Sequence, residues 1–144
     1  MTVAVAFELH PKLRADTFAV GDFPLGRLLL MNDAQYPWFI LVPRRAGARE
    51  IYELAEADQA QLLRESSALS RALMRAFRGD KLNVAALGNV VPQLHVHHIV
   101  RYQGDPAWPA PVWGRQPAVP YADAARQARI AALAGHLPAD FAAA

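Results

Sequence analysis

Three of the chain's five histidines fall within four residues, in Gln93-Leu94-His95-Val96-His97-His98-Ile99-Val100-Arg101. Imidazole titrates near neutral pH, attacks electrophiles and binds metals, so this run concentrates the chain's reactive chemistry. Its β-branched and apolar neighbours predict a strand, in which successive side chains point to opposite faces. Gln93, His95, His97 and Ile99 then share one face, and Leu94, Val96, His98 and Val100 the other. Burial accounts for the second face, which is apolar apart from His98. It does not account for an amide and two imidazoles side by side, and function is expected there.

Three chemistries fit that polar face. Histidines two apart on a strand can hold a metal ion, but such a site needs a third or fourth protein ligand. The chain has no cysteine. Asp80 and Asp105 lie outside the strand, which leaves distant carboxylates such as Asp33 or Glu65. In a second reading both histidines are structural, although burying two imidazoles and an amide together is costly. The third is nucleophilic catalysis on phosphorus. One imidazole takes an α-phosphate as a covalent nucleotidyl-histidine, and water then releases the nucleotide. Charge developing on the phosphoryl oxygens needs donors around it, and Gly88-Asn89 with Gln93 and His97 offers a set.

The rest of the chain must position this strand. Residues 1–14 read as a lead-in arm or short helix punctuated by Pro11. Thr17–Val20, Arg27–Met31 and Trp38–Val42 read as strands of an antiparallel meander, separated by the turn Gly21–Pro24 and the loop Asn32–Pro37. Ile51–Leu54 suggests a helical turn. Asp58, with Gln61 three residues on, predicts an N-cap and capping box. Beyond it Leu62, Ser66, Leu69, Leu73 and Ala76 mark the apolar stripe of a long helix ended by Gly79. Arg64, Arg71, Arg75 and Arg78 fall on its solvated side. Lys81–Ala86 is a further strand, joined to the histidine strand by Leu87–Pro92. The Pro- and Trp-rich run Gln103–Gly114 reads as a loop, with Trp108 and Trp113 anchoring it rather than serving as a lid, and Tyr121–Leu133 as a last helix. The sum is an α+β domain with about five strands and two substantial helices.

The chain has 144 residues, 53% of them hydrophobic and 19% charged, with a formal net charge of +2, which suits one globular domain. Arg44-Arg45 is the only adjacent basic pair, so no long nucleic acid is expected as a partner. Arginine outnumbers lysine, which occurs only at 12 and 81, and this reads as composition rather than phosphate binding. No apolar run approaches the roughly 18 residues of a membrane span. The segment Met1–Phe7 lacks a basic start and meets Glu8 at once, making a poor signal peptide. A cytoplasmic location is the default expectation.

The segment Gly88-Asn89-Val90-Val91-Pro92-Gln93-Leu94-His95-Val96-His97-His98-Ile99-Val100-Arg101 resembles the histidine-triad (HIT) family, whose motif is His-φ-His-φ-His-φ-φ with φ apolar. The likeness extends upstream into Leu82-Asn83 and downstream through Asp105–Trp113. It is similar to a bacterial branch reading Gly-Asn-Val-Val-Pro-His-Leu-His before the last motif histidine. The order of strands, loop and helix from about 15 to 102 agrees as well. The family's Gly-Asn or Gly-Gln pair before the motif, and its Arg four residues after, match Gly88-Asn89 and Arg101 when Gln93 is first, His95 second and His97 third.

The resemblance implies a HIT-like fold over residues 1–110, with 111–144 a loop and helical extension packed on the same domain. It implies His95 as nucleophile and His97 as a phosphate contact that helps protonate the leaving group. It further implies Asn89 as a phosphate donor, Asn32 (with Asp33 as rival) as a ribose contact, and Asn83 as support for the site. No cofactor or metal is called for, and a homodimer is. The substrate expected is a nucleoside phosphate ester, anhydride or phosphoramidate, such as a dinucleoside polyphosphate. Gln93 departs from the pattern. It can orient by hydrogen bonding but carries no proton at neutral pH, so a nucleotide-binding protein with little catalysis is the alternative. His98 should face away from the site and pack the sheet.

Overall fold

A computed structural model describes residues 5–144; residues 1–4, the start of the expected lead-in arm, lie outside the described residues. Helix α1 (Pro11–Asp16) leads into strands β1 (Thr17–Asp22), β2 (Gly26–Met31) and β3 (Trp38–Pro43). A 3₁₀ turn (Ile51–Glu53) and helix α2 (Glu56–Phe77) follow, then β4 (Lys81–Ala85), β5 (Val96–Arg101), α3 (Asp123–Ala134) and β6 (Ala142–Ala143). The strands form one antiparallel sheet in the order β4-β5-β3-β2-β1-β6.

Six strands replace the five expected. The addition, Ala142–Ala143, pairs with Gly21 and Asp22 at the free edge of β1. Two alanines carry neither hydrophobic alternation nor β-propensity, so this strand exists through the edge it meets.

The continuous apolar runs of β2 and β3 follow from cover on both sheet faces. On one face Leu28, Leu30, Phe39, Leu41, Val96 and Val100 pack against Leu62, Leu69 and Leu73 of α2 and Leu133 of α3. On the other, Leu29, Ile40, Val42 and Ile99 pack under Leu13 of α1, Tyr36, Val91 and Val112. Each fully buried leucine contributes about 1.5–3 kcal/mol.

Helix α2 starts earlier than the capping pattern predicts. Ala55 occupies the N-cap position, and Asp58 lies in the first turn, held by Arg45 at 2.7 and 3.0 Å. Its carboxylate still sits favourably at the positive end of the helix. Gln61 donates instead to Glu65. Glu65, absent from the apolar stripe, is buried and accepts from the backbone N–H of Leu25 and Gly26 at 2.9 and 2.7 Å. At the far end Arg78, not Gly79, takes the left-handed conformation, with φ 50°. Gly79 lies against Val100 and the carbonyl of Arg101, where a Cβ would collide. Its smallness is spent on bringing α2 close to β5.

Candidate active site

Strand β5 sits between β3 and β4, with Ile40 opposite His97 and Trp38 opposite Ile99. Leu94, Val96 and Val100 enter the helix-side core, while His95 and His97 project on the other side with ring centroids 4.9 Å apart. The alternation read from the sequence therefore holds, although the regular strand begins only at Val96.

The two imidazoles are held by different groups. His95 Nδ1 lies 2.7 Å from the carbonyl oxygen of Gln93. A carbonyl only accepts, so Nδ1 carries a proton, and in the neutral ring Nε2 keeps its lone pair. Trp38 Nε1–H donates to His97 Nδ1 at 3.0 Å. Indole only donates, so the proton of neutral His97 is on Nε2. Burial first, then the neighbouring His95 and His98, push the His97 pKa down to about 3. The cleft thus meets a lone pair on one ring and, on the other, a neutral ring whose proton is on Nε2.

That cleft has a volume of about 300 Å³ and is lined by Lys12, Asp16, Gly88, Asn89, His95, His97 and Trp113, among others. Gly88 has φ 73°, which an L-residue adopts only with strain, and the turn leaves Asn89 exposed at the rim. A second cleft of about 350 Å³ holds Asn32 and Asp33 and shares Asp16, Met31 and Trp113 with the first. Asn32 Oδ1 accepts from Tyr121 N–H at 2.8 Å, so its amide protons are left to that cleft. Asp33 is buried and accepts from Gln35 and the backbone of Val119. These bonds all fall on Oδ1, which fastens the loops.

Two of the expected residues stand apart from the imidazoles. The side chain of Gln93 accepts from His10 N–H at 2.9 Å and donates to the Glu8 carbonyl at 2.8 Å. It ties down the lead-in segment, and only its backbone oxygen reaches His95. Asn83 accepts from Arg101 Nη1 at 2.9 Å. Arg101 is fully buried, clamped by Asp105 at 2.8 and 2.9 Å and by the Ala110 carbonyl. Burial would raise the Asp105 pKa, but Arg101 and the N–H groups of Tyr102 and Trp108 more than offset it and hold it low. This cluster pins the loop after β5.

That loop delivers to the site a residue expected only to anchor the loop. Trp113 meets His97 edge-on at 5.0 Å and Trp38 at 5.8 Å. Trp108 instead covers Arg101, 5.8 Å from its guanidinium. Trp38 escaped sequence reasoning altogether, because its diagonal approach to His97 depends on strand register. His98 faces α2: its Nδ1–H reaches the Val96 carbonyl at 3.0 Å and Nε2 meets Ser66 Oγ at 2.7 Å. Burial lowers its pKa to about 4, opposed by the bond to Val96.

The HIT domain family model matches residues 12–104, and the chain belongs to that family. It is 59% identical to a histidine triad protein from Marinobacter aquaeolei, whose crystal structure superposes with a TM-score of 0.90, covering 92% of this chain and 97% of that one. A histidine triad protein from Bradyrhizobium japonicum is 50% identical with a TM-score of 0.91, covering 93% and 100% of the two chains. A third, from Sinorhizobium meliloti, is 42% identical with a TM-score of 0.89, covering 91% and 97%. No functionally curated protein matches.

Proposed function

We propose that this HIT protein binds a nucleotide and cleaves it at the α-phosphate, as a hydrolase or nucleotidyl transferase, through a covalent intermediate on His95. The observation that carries the reading is the pair of fixed protons. The Gln93 carbonyl holds His95 Nδ1–H at 2.7 Å, which aims the lone pair of Nε2 at the cleft. His97 offers Nε2–H beside it, and Asn89 and the Gly88 turn line the same cleft. Attack by Nε2 forms the N–P bond and expels the leaving group; water then breaks that bond. The adjacent N–H donors suit the charge that builds on the phosphoryl oxygens. The cleft holding Asn32 suits the nucleoside, with Asn32 donating to ribose. Asn83 acts at a distance, by fastening Arg101. The triad would then read Gln93, His95, His97, with Gln93 contributing its backbone.

His95→Ala should abolish turnover of a dinucleoside polyphosphate and of a fluorogenic nucleoside phosphoramidate while the fold persists. Retained activity would remove the nucleophile assignment.

Gln93 supports a second reading, a nucleotide-binding protein with little catalysis, because its side chain is engaged with Glu8 and His10 and supplies no proton. Binding in a titration, with no product from either substrate, would favour it. The metal-dependent alternative is poorly supported, since among the described residues no three His, Asp or Glu side chains cluster as ligands, and Asp33 and Glu65 are engaged with backbone N–H groups.

We further infer a cytoplasmic homodimer. No helix among the described residues is long and apolar enough to cross a membrane. Edge strand β4 and α2 flank an apolar groove of about 510 Å³ where Ile51, Leu63 and Val84 are exposed, a face that a second copy would cover. Leu63→Glu should yield monomers by sedimentation; an unchanged mass would exclude this face.

A further inference from the structure

His97 accepts a hydrogen bond from a residue outside the histidine motif, Trp38. The titratable groups bearing on it are His95 and His98 of its own strand. Trp38 from β3 and Trp113 from the loop enclose it with aromatic rings. No carboxylate is among these neighbours to favour an imidazolium. Charging the ring would also set an N–H at Nδ1 against the Trp38 N–H, breaking a buried bond of 3.0 Å. The other charged groups in the cleft, Lys12 and Asp16, pair with each other at 2.9 Å. Gln93, at the remaining motif position, has its amide turned to Glu8 and His10.

We propose that Trp38 is a positioning residue: by donating to His97 Nδ1 it fixes His97 as a neutral Nε2–H donor, and so directs the site to nucleoside phosphoric anhydrides in preference to phosphoramidates of alkyl amines. This rests on the reading of His95 as nucleophile. The difference lies in the proton the leaving group requires. With an anhydride, the His95 Nε2 pair forms the N–P bond, and the P–O bond breaks with its electrons going to a phosphate oxygen. That group departs as a stable anion and takes no proton from the protein. Water then attacks phosphorus, the N–P pair returns to Nε2, and the proton of water passes to solvent. With an alkyl phosphoramidate the P–N bond breaks to an amine that must acquire a proton. A neutral His97 that supplied it would be left as an imidazolate, in a buried ring pocket that does not stabilise charge. As a hydrogen-bond donor to the phosphoryl oxygens, the same ring serves both substrates equally.

Two measurements test this. Steady-state kinetics would compare a dinucleoside polyphosphate with the alkyl phosphoramidate of the same nucleoside, for the wild type and Trp38→Phe, which keeps an aromatic ring and deletes the donor. General-acid assistance is worth about 10²–10⁴-fold, so the wild type should favour the anhydride in kcat/KM by about 10²-fold or more. In Trp38→Phe that ratio should fall severalfold, because the N–H that opposes a proton on Nδ1 is gone, although burial and the neighbouring His95 and His98 still disfavour the charged ring. Equal turnover of both substrates by the wild type overturns the proposal. An unchanged ratio, with both rates lowered alike, reduces Trp38 to packing and overturns it too. Nitrogen-15 imidazole spectra of the wild type test the lock without turnover or a variant: the account expects the Nε2–H tautomer of His97 through pH 5, and an Nδ1–H tautomer overturns it. If the lock is observed but neither substrate is cleaved, the activity assigned to His95 fails and the tautomer assignment stands.

Discussion

On the helix side of β5, both ring nitrogens of His98 are bonded, to the Val96 carbonyl and to Ser66 Oγ. On the cleft side, His95 and His97 each have only one nitrogen engaged among the described residues, to the Gln93 carbonyl and to Trp38. All three rings are buried, with relative exposures of 0%, 7% and 4% for His98, His95 and His97. Burial therefore does not separate a reactive imidazole from a structural one. What separates them is whether the protein has used up the second nitrogen. His98 is closed and stabilises; His95 and His97 are half-open and can act on a ligand.

The comparison can be broken by exchanging the consequences of substitution on the two faces. The largest effect expected is on the cleft side, where His97→Ala removes a donor to the phosphoryl oxygens and should lower kcat by about 10²–10³-fold, with a stability loss of about 1–3 kcal/mol because the buried Trp38 N–H loses its acceptor. A loss confined to KM would mean that His97 binds the ground state only. Next, His98→Phe should leave kcat of the folded protein intact but cost about 1–3 kcal/mol in denaturant unfolding, because Ser66 loses its buried partner. A fall in kcat with stability preserved would contradict the division between the faces.

The same variant sharpens the pH dependence. His97 and His98 have folded pKa values pushed below the ordinary 6.5, to about 3 and about 4. Below pH 6.5 the unfolded chain takes up protons that the folded chain refuses. Stability is fully present above 6.5 and is lost as pH falls toward 4, with the unfolding constant rising up to about tenfold per pH unit for each histidine. In His98→Phe the slope between pH 6 and 4.5 should be about half that of the wild type. An unchanged slope would mean that His98 does not contribute.

Much of this was legible beforehand because it follows from local periodicity. The two-residue repeat assigned His95 and His97 to one face and His98 to the other, and the strand order of a HIT-like α+β fold could be read from Thr17 to Arg101. The errors share a cause. Trp38 and Trp113 reach His97 through strand register and loop path, which no spacing in the sequence encodes. Gln93 was placed by its parity with the imidazoles, but the chain is not yet a regular strand there, and Glu8 and His10 offered its amide two backbone partners. Glu65 entered only as a distant carboxylate open to a metal, yet two N–H groups at the β1–β2 turn required a buried acceptor. Ala142–Ala143 became a strand only because β1 had an unpaired edge.

The central claim is that the nitrogen left open on His95 attacks phosphorus. Acid-independent quenching of the protein during turnover of a dinucleoside polyphosphate, followed by mass spectrometry of the intact chain and its peptides, tests it directly. The account predicts a mass increase of one nucleoside monophosphoryl group on the peptide carrying His95, abolished in His95→Ala. Turnover without any such adduct, or an adduct retained in His95→Ala, would contradict it.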